Sequence, residues 1–195
     1  MPLVDNVAAM SPPLDDLVRR LCLAPHPEGG WFRELYRDDA VTTIYYVMAP
    51  RGLSPLHRLR TRTELWHFYG GAAVELHTIV ENAGDADDRT EATARARSVN
   101  PVNIVDDGRA AAEPSAVAPS GGAIHRVALL SSDAPLAVVP PGVWQAARVL
   151  GDEPALLGCT VAPAFDFADW QMPSRAELLA RLPTHAALVA ALTRP

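Results

Sequence analysis

The amino-acid sequence predicts an all-β domain, a sandwich or a barrel, with helices confined to the two ends of the chain. About nine short runs rich in β-branched and aromatic residues are separated by Gly, Pro, Asp or charged turns, a spacing typical of such folds. Apolar residues at intervals of three and four, which indicate helices, occur only near the termini. With 195 residues, the chain is long enough for a single domain with a well-buried core.

The first element is an amphipathic helix followed by a tight turn, together residues 12–30. Ser11-Pro12-Pro13 is a suitable helix start, because proline is tolerated in the first turn. One apolar stripe then follows, formed by Leu14, Leu17, Val18 and Leu21. Pro25 ends the helix, and His26-Pro27-Glu28-Gly29-Gly30 has the composition of a turn whose glycines allow unusual backbone angles.

The predicted barrel is formed by residues 31–81 and 123–163. Its first part contains five strand-like runs: Trp31–Arg37, Thr42–Met48, Pro55–Arg60, Glu64–Tyr69 and Ala73–Val80. Its second part contains four more: Ile124–Leu130, Leu136–Val139, Trp144–Leu150 and Ala155–Ala162.

The remaining segments predict an insertion and a helical end within a single domain, 1–195. Residues 82–122 are rich in Asp, Ala, Arg, Pro and Ser, which predicts a flexible surface insertion with a short helix over 89–97. Ser174 and the glutamate three residues later have capping-box spacing, and Thr184 is placed to start a second helix. We therefore expect C-terminal helices over 174–193.

Composition and charge exclude several classes of function. The 23 acidic residues outnumber the 17 basic ones, giving a net charge of −6, so nucleic acid is not an expected partner. Every basic residue is Arg, which excludes a Schiff-base lysine. The two cysteines are too few for a disulfide framework, and no apolar run approaches the roughly 20 residues of a membrane span. The acidic start of the chain does not resemble a signal peptide, so we expect a cytoplasmic protein without membrane contact.

Two neighbouring runs, Gly52–Arg60 and Glu64–Gly71, carry the residues best suited to chemistry. If they are adjacent antiparallel strands, period-two alternation brings His57 and Glu64 close enough to share a site. An imidazole beside a carboxylate in an apolar interior is either part of a metal site or an oriented general base.

The same residues carry a resemblance to a known family. Gly52, His57, Glu64 and Gly71 are spaced as in the first motif of the cupin superfamily, and Pro140–Gln145 resembles its second motif. Four longer segments in the same order look like the fifth cupin subfamily, a group of domains of unknown function: His26–Glu34, Glu64–Tyr69, Val138–Gln145 and Gly158–Phe167.

The resemblance implies a double-stranded β-helix, the cupin jelly-roll barrel, with a ligand pocket in its mouth and a habit of forming homodimers. Superfamily metal sites use two histidines and a glutamate of the first motif and a histidine of the second. In this chain Leu59 and Gln145 replace two of those histidines. His57, Glu64 and Gln145 remain as an incomplete set for a divalent metal, or they form a polar pocket floor that needs no cofactor.

Three functions remain open at this stage. In the first, which the resemblance to sugar-nucleotide epimerases and isomerases implies, a metal-independent enzyme uses His57 as base and Glu64 to orient it, while Gln145 and Arg33 hold the substrate. In the second, a metal-dependent cupin enzyme works with a degenerate site. In the third, a non-catalytic module binds a small polar molecule, sugar-like or carbonyl-containing, in the barrel.

Further residues are candidates for the pocket edge. Glu28 and Arg33 lie in or next to the His-Pro-Glu-Gly-Gly turn, with a surface or interface ion pair as the alternative role for Arg33. Trp66 and Phe68 either stack on a ligand or fill the core. His67 alternates with these residues and is expected to face away from the barrel interior.

Overall fold

Two antiparallel sheets face each other in the computed structural model, which describes residues 12–81 and 123–194. The strands are β1 (Ala24–Pro25), β2 (Trp31–Arg37), β3 (Thr42–Met48), β4 (Leu53–Leu59), β5 (Thr63–Gly71), β6 (Val74–Val80), β7 (Ile124–Leu130), β8 (Leu136–Val139), β9 (Trp144–Val149), β10 (Ala155–Ala162) and β11 (Trp170–Gln171). The six-stranded sheet has the order β1-β2-β3-β10-β5-β8, and the five-stranded sheet has the order β11-β4-β9-β6-β7. The predicted fold class is confirmed.

Short helices lie only at the two ends of the described chain: α1 (Leu14–Arg20), α2 (Arg175–Arg181) and α3 (Ala186–Ala191), with a 3-10 turn, Pro183–His185, between the last two. The predicted capping box is present at α2, where the Ser174 side chain accepts from the backbone N–H of Glu177 and the Glu177 carboxylate accepts from that of Ser174. None of the described helices has the length and apolar character needed to cross a bilayer. Ser11 and the predicted insertion 82–122 lie outside the described residues.

The strand runs follow the sequence pattern closely, but one pairing expected from it is wrong. β4 and β5 are not neighbours: β4 pairs with β9 and β11 in one sheet, whereas β5 pairs with β10 and β8 in the other. The connection after β4 crosses between the sheets and is fastened there by Asp169, which accepts hydrogen bonds from the backbone N–H (3.1 Å) and the hydroxyl (2.9 Å) of Thr61. Alternation within a strand fixes which side chains face inward, but not which sheet the strand joins.

Two apolar cores hold the molecule together. The larger core lies between the sheets and includes Tyr46, Trp66 and Leu157. The second core lies where the C-terminal helices cover the outer face of the five-stranded sheet, and it joins Leu56 and Trp144 to residues such as Leu178, Val189 and Leu192. The five-stranded sheet is therefore buried on both faces around β4 and β9, the two strands that carry His57 and Gln145.

Candidate functional site

A partly enclosed cavity of about 380 Å³ lies inside the barrel. Its walls are mainly apolar and aromatic, formed by Phe32, Ile44, Tyr46, Leu59, Trp66 and Val161. Its polar lining includes His26, Glu28, Glu64 and Cys159, and charged and aromatic side chains from β2 and the segment after β10 also border it. A volume of this size fits a small organic molecule.

Two central strands of the six-stranded sheet supply one wall of the cavity. Glu64 lies opposite Val161 in the register of β5 and β10, and Trp66 lies opposite Cys159. Since residues two apart on a strand share a face, all four side chains point into the barrel. The buried Cys159 thiol has a pKa well above its usual value, because burial and the neighbouring Glu64 carboxylate both disfavour a thiolate.

The barrel shifts the pKa of Glu64 toward neutrality, which suits this carboxyl to proton transfer at neutral pH. Its side chain is buried, and it accepts a hydrogen bond from the Gln145 amide at 2.6 Å. Burial, together with the nearby Glu28 carboxyl, raises its pKa from 4.5 to about 7, against the opposing effects of His57 and of the Gln145 hydrogen bond. Near neutral pH, both protonation states of this carboxyl are accordingly populated.

Gln145 holds Glu64 in place from beneath the cavity. Its side-chain oxygen accepts a hydrogen bond from the indole N–H of Trp66 at 2.9 Å, which leaves its NH₂ group to donate to Glu64. Only 1% of Gln145 is exposed. The amide therefore orients the carboxyl of Glu64 and the indole of Trp66 at the same time.

His57 pairs with Glu28 rather than with Glu64. The ring nitrogen Nδ1 lies 2.8 Å from the Pro55 carbonyl oxygen, and because a carbonyl only accepts, Nδ1 carries a hydrogen. Nε2 lies 3.4 Å from Oε1 of Glu28. Glu28 therefore takes the place beside His57 that the sequence predicted for Glu64, while Glu64 is held by Gln145.

Glu28 reaches this position because the His-Pro-Glu-Gly-Gly turn folds back over the barrel. The turn closes through a backbone hydrogen bond from His26 N–H to the Gly30 oxygen (3.0 Å), and both of its glycines have positive φ, +94° for Gly29 and +70° for Gly30. The Glu28 carboxylate accepts hydrogen bonds from Ser54 (2.9 Å) and from the indole N–H of Trp170 (2.8 Å). Glu28 is thus fixed by partners from β4 and β11, two neighbouring strands of the five-stranded sheet.

His26 also lines the cavity, although the sequence predicted it only as part of a turn. Its Nδ1 accepts the backbone N–H of Glu28 at 3.2 Å, so the neutral ring keeps its hydrogen on Nε2. Burial lowers the pKa of His26, and its ring lies edge-on to Phe32 and Tyr46. His26 is therefore a neutral hydrogen-bond donor at neutral pH, and the turn motif was the only indication of it in the sequence.

The segment after β10 adds aromatic residues at the edge of the cavity. Phe167 contacts Phe165 and Trp170 edge-on, with ring centres 5.0 Å and 6.1 Å apart, while 67% of Phe167 remains exposed. Arg37 donates to Glu34 (2.8 Å) and to the Phe165 carbonyl oxygen (2.7 Å). In the sequence, this segment contributed only to the family resemblance and carried no predicted site residue.

The structure brings together only part of the predicted site. Glu28, Glu64 and Trp66 line the cavity, with His57 and Gln145 buried next to them. Phe68 packs against the barrel core, and the prediction that His67 faces outward agrees with its 3.1 Å contact to Thr160 on the outer side of β10.

Arg33 is not at the pocket edge, contrary to expectation. It lies opposite Tyr45 in the register of β2 and β3, and its guanidinium donates to the Leu21 carbonyl oxygen at 3.2 Å. Its neighbours along the strand, Phe32 and Glu34, line the cavity instead. Alternation therefore places Arg33 on the outer face of the sheet.

The residues present do not fit a metal ion. Leu59 adds an apolar wall where the resemblance implies a ligand, and the neutral Gln145 oxygen accepts the indole N–H of Trp66. Across residues 12–81 and 123–194, no group of three His, Cys, Asp or Glu side chains is arranged to hold a metal. The donor set His57, Glu64 and Gln145 instead forms hydrogen bonds within the protein.

Comparison with known proteins agrees with this architecture. A hypothetical protein from Leishmania major has a similar structure, with 24% identity and a TM-score of 0.69, over 94% of this chain and 100% of that one. A protein from Shewanella oneidensis is similar over 95% of this chain and 99% of its own, with 26% identity and a TM-score of 0.66. No curated protein matches the sequence. The family model described as "Cupin superfamily (DUF985)" matches residues 15–173, and the chain therefore belongs to this family of the cupin superfamily.

Proposed function

We propose that the barrel cavity binds a small carbonyl-containing molecule and moves a proton on the carbon next to the carbonyl, with Glu64 as general base and acid. The observation that carries this proposal is the Glu64 carboxyl itself, buried at the wall of a 380 Å³ cavity with a pKa of about 7. A pKa near the working pH is the property that an acid–base catalyst needs.

The reaction requires one base and one hydrogen-bond donor. The ionised Glu64 takes the proton, the carbon–hydrogen bond breaks, and its electron pair moves onto the carbonyl oxygen as an enolate. The Nε2–H of neutral His26, which also lines the cavity, is the donor suited to that oxygen. Return of a proton from Glu64 to the same face of the carbon regenerates the ketone, with its hydrogen exchanged for one from solvent, whereas delivery of a proton from water to the opposite face gives the epimer.

His57 acts on this chemistry through its position. It is 1% exposed and faces Glu28, so we assign it a positioning role rather than the role of base. Its imidazole lowers the pKa of Glu64 against the effect of burial. The nearby Glu28 carboxyl raises the same pKa, so the two members of this pair act on Glu64 in opposite directions.

Deuterium exchange tests the proposal. The protein is incubated in deuterated buffer with a panel of small cyclic and aryl ketones, and exchange at the carbon next to the carbonyl is followed by NMR. We expect catalysed exchange whose rate rises with pH through about 7, and a loss on the order of 100-fold or more in Glu64→Gln. The matched control is Glu75→Gln, a carboxylate of β6 that binds His77 outside the cavity lining.

Two results would count against catalysis by Glu64. Exchange that Glu64→Gln leaves unchanged would remove Glu64 as the base. Absence of exchange with every ketone of the panel would reduce the proposed function to binding without turnover.

A further inference from the structure

We infer that the cavity selects a neutral or cationic molecule with a planar, largely apolar ring, rather than an anion or a free sugar, and that Phe167 contacts this ring at the cavity edge. This inference rests on the proposed use of the barrel cavity as a ligand site. Three features of the cavity carry it: the balance of charge, the composition of the walls and the exposure of one aromatic ring.

The charges that line the cavity disfavour an anion. Among the described residues, two carboxylates, Glu28 and Glu64, line it at depth. The guanidinium at its edge, Arg37, is already bound to Glu34 and to a backbone carbonyl. Two imidazoles lie nearby: His57 already faces Glu28, and burial lowers the pKa of His26, which keeps that ring neutral at neutral pH. An entering phosphate or carboxylate would meet Glu64 without a free cation to balance it, which is unfavourable in a site of low dielectric.

The walls of the cavity disfavour a molecule with a hydroxyl on every carbon. Side chains such as Phe32, Ile44, Leu59 and Val161 offer no hydrogen bond. A buried hydroxyl without a hydrogen-bond partner costs the full free energy of its desolvation. For a free monosaccharide, this cost would exceed the free energy gained from its contacts with the walls. A ring with one or two polar groups instead matches the few polar side chains, among them Glu64 and His26.

Phe167 is placed to complete the binding of such a ring. It is the most exposed of the large hydrophobic side chains in the described residues, at 67%, although it borders the cavity. Phe165 and Trp170 contact it edge-on and hold it at the cavity edge. A planar ring in the cavity would cover the exposed part of Phe167, which removes apolar surface from water and adds an aromatic contact.

Binding of four probes tests this inference without reference to turnover. Benzyl alcohol, benzylamine, benzoate and glucose are titrated at about pH 8, where the carboxylates are ionised, and binding is followed by ligand-observed NMR and by fluorescence of the cavity tryptophans. We expect benzyl alcohol and benzylamine to bind at least about tenfold more tightly than benzoate or glucose. Phe167→Ala should weaken the two favoured probes by roughly three- to tenfold, and Phe167→Trp should retain their binding.

Tyr36→Ala is the matched control, because Tyr36 is an exposed aromatic residue of β2 outside the cavity lining, and it should leave all four affinities unchanged. Benzoate binding as tightly as benzyl alcohol, glucose binding best, or no probe binding at all would overturn the inference. Equal effects of Phe167→Ala and Tyr36→Ala would overturn the role of Phe167. If the probe order holds while ketone exchange is absent, only the proposed catalysis fails; if exchange is present while the probe order fails, only this inference fails.

Discussion

At the scale of single residues, two buried glutamates in one cavity are held in different ways. Glu28 accepts hydrogen bonds from Ser54 and Trp170 and faces His57, so its carboxylate is fixed by three partners. Glu64 accepts a hydrogen bond from Gln145, and burial raises its pKa. Carboxylates that share a site but differ in their partners take different roles, which supports Glu64 as the group that exchanges the proton and Glu28 as the fixed anion.

The raised pKa of Glu64 has a consequence for stability. Since the folded-state pKa is about 7 and the ordinary value is 4.5, folded wild type holds a proton that the unfolded chain releases between these values. The stabilisation that this proton gives the folded state is fully present below about pH 4.5 and is lost as pH rises to about 7. The corresponding fall in the free energy of unfolding is on the order of 3 kcal/mol. Glu64→Gln lacks it, so the free energy of unfolding of wild type minus that of the variant should fall with rising pH. Urea unfolding of both proteins at matched pH measures this difference, and a constant difference would contradict the prediction.

At the scale of elements, the site depends on connections more than on strands. The strand runs were predictable because alternation and turn residues mark them locally, and the inward side chains of β5 follow from the same alternation. The crossing of the chain to the other sheet after β4 was not predictable from the sequence, because sheet membership depends on long-range contacts such as that between Thr61 and Asp169. The partner of His57 was missed for the same reason, since Glu28 lies 29 positions earlier in the sequence.

The turn that carries Glu28 should depend on Gly30. Its φ of +70° strains any residue with a Cβ, and a Cβ there would also overlap the carbonyl oxygen of Val47. We expect Gly30→Ala to lower the free energy of unfolding by about 3 kcal/mol or more. The matched control is Gly151→Ala, where φ is +107° but the space around the Cβ is open; it should cost only the backbone strain, about 1 kcal/mol. Equal losses in denaturant unfolding of the two variants would contradict the proposed overlap.

At the scale of the whole molecule, the C-terminal helices support the site from outside the barrel. The backbone N–H of Leu56 donates to the Leu192 carbonyl oxygen at 2.9 Å, which ties β4 directly to the end of α3. Leu56 faces the second core while its neighbour His57 faces Glu28. The helices were predictable from their apolar spacing and capping box, but the face of the barrel that they cover was not, because neither pattern specifies a docking surface.

We therefore expect the helices and the barrel to unfold together, and Leu178→Ala tests this coupling. Leu178 is fully buried in the second core, so its truncation should lower the free energy of unfolding by about 2–5 kcal/mol through lost burial and the cavity left behind. The matched control is Leu129→Ala on β7, where 47% of the residue is exposed and the cost should stay below about 1 kcal/mol. Because β4 is tied to α3, tryptophan fluorescence and backbone circular dichroism should report a single shared midpoint in wild type and in Leu178→Ala. Separate midpoints for the two signals in wild type would show that the helices fold independently of the barrel and do not support its cavity.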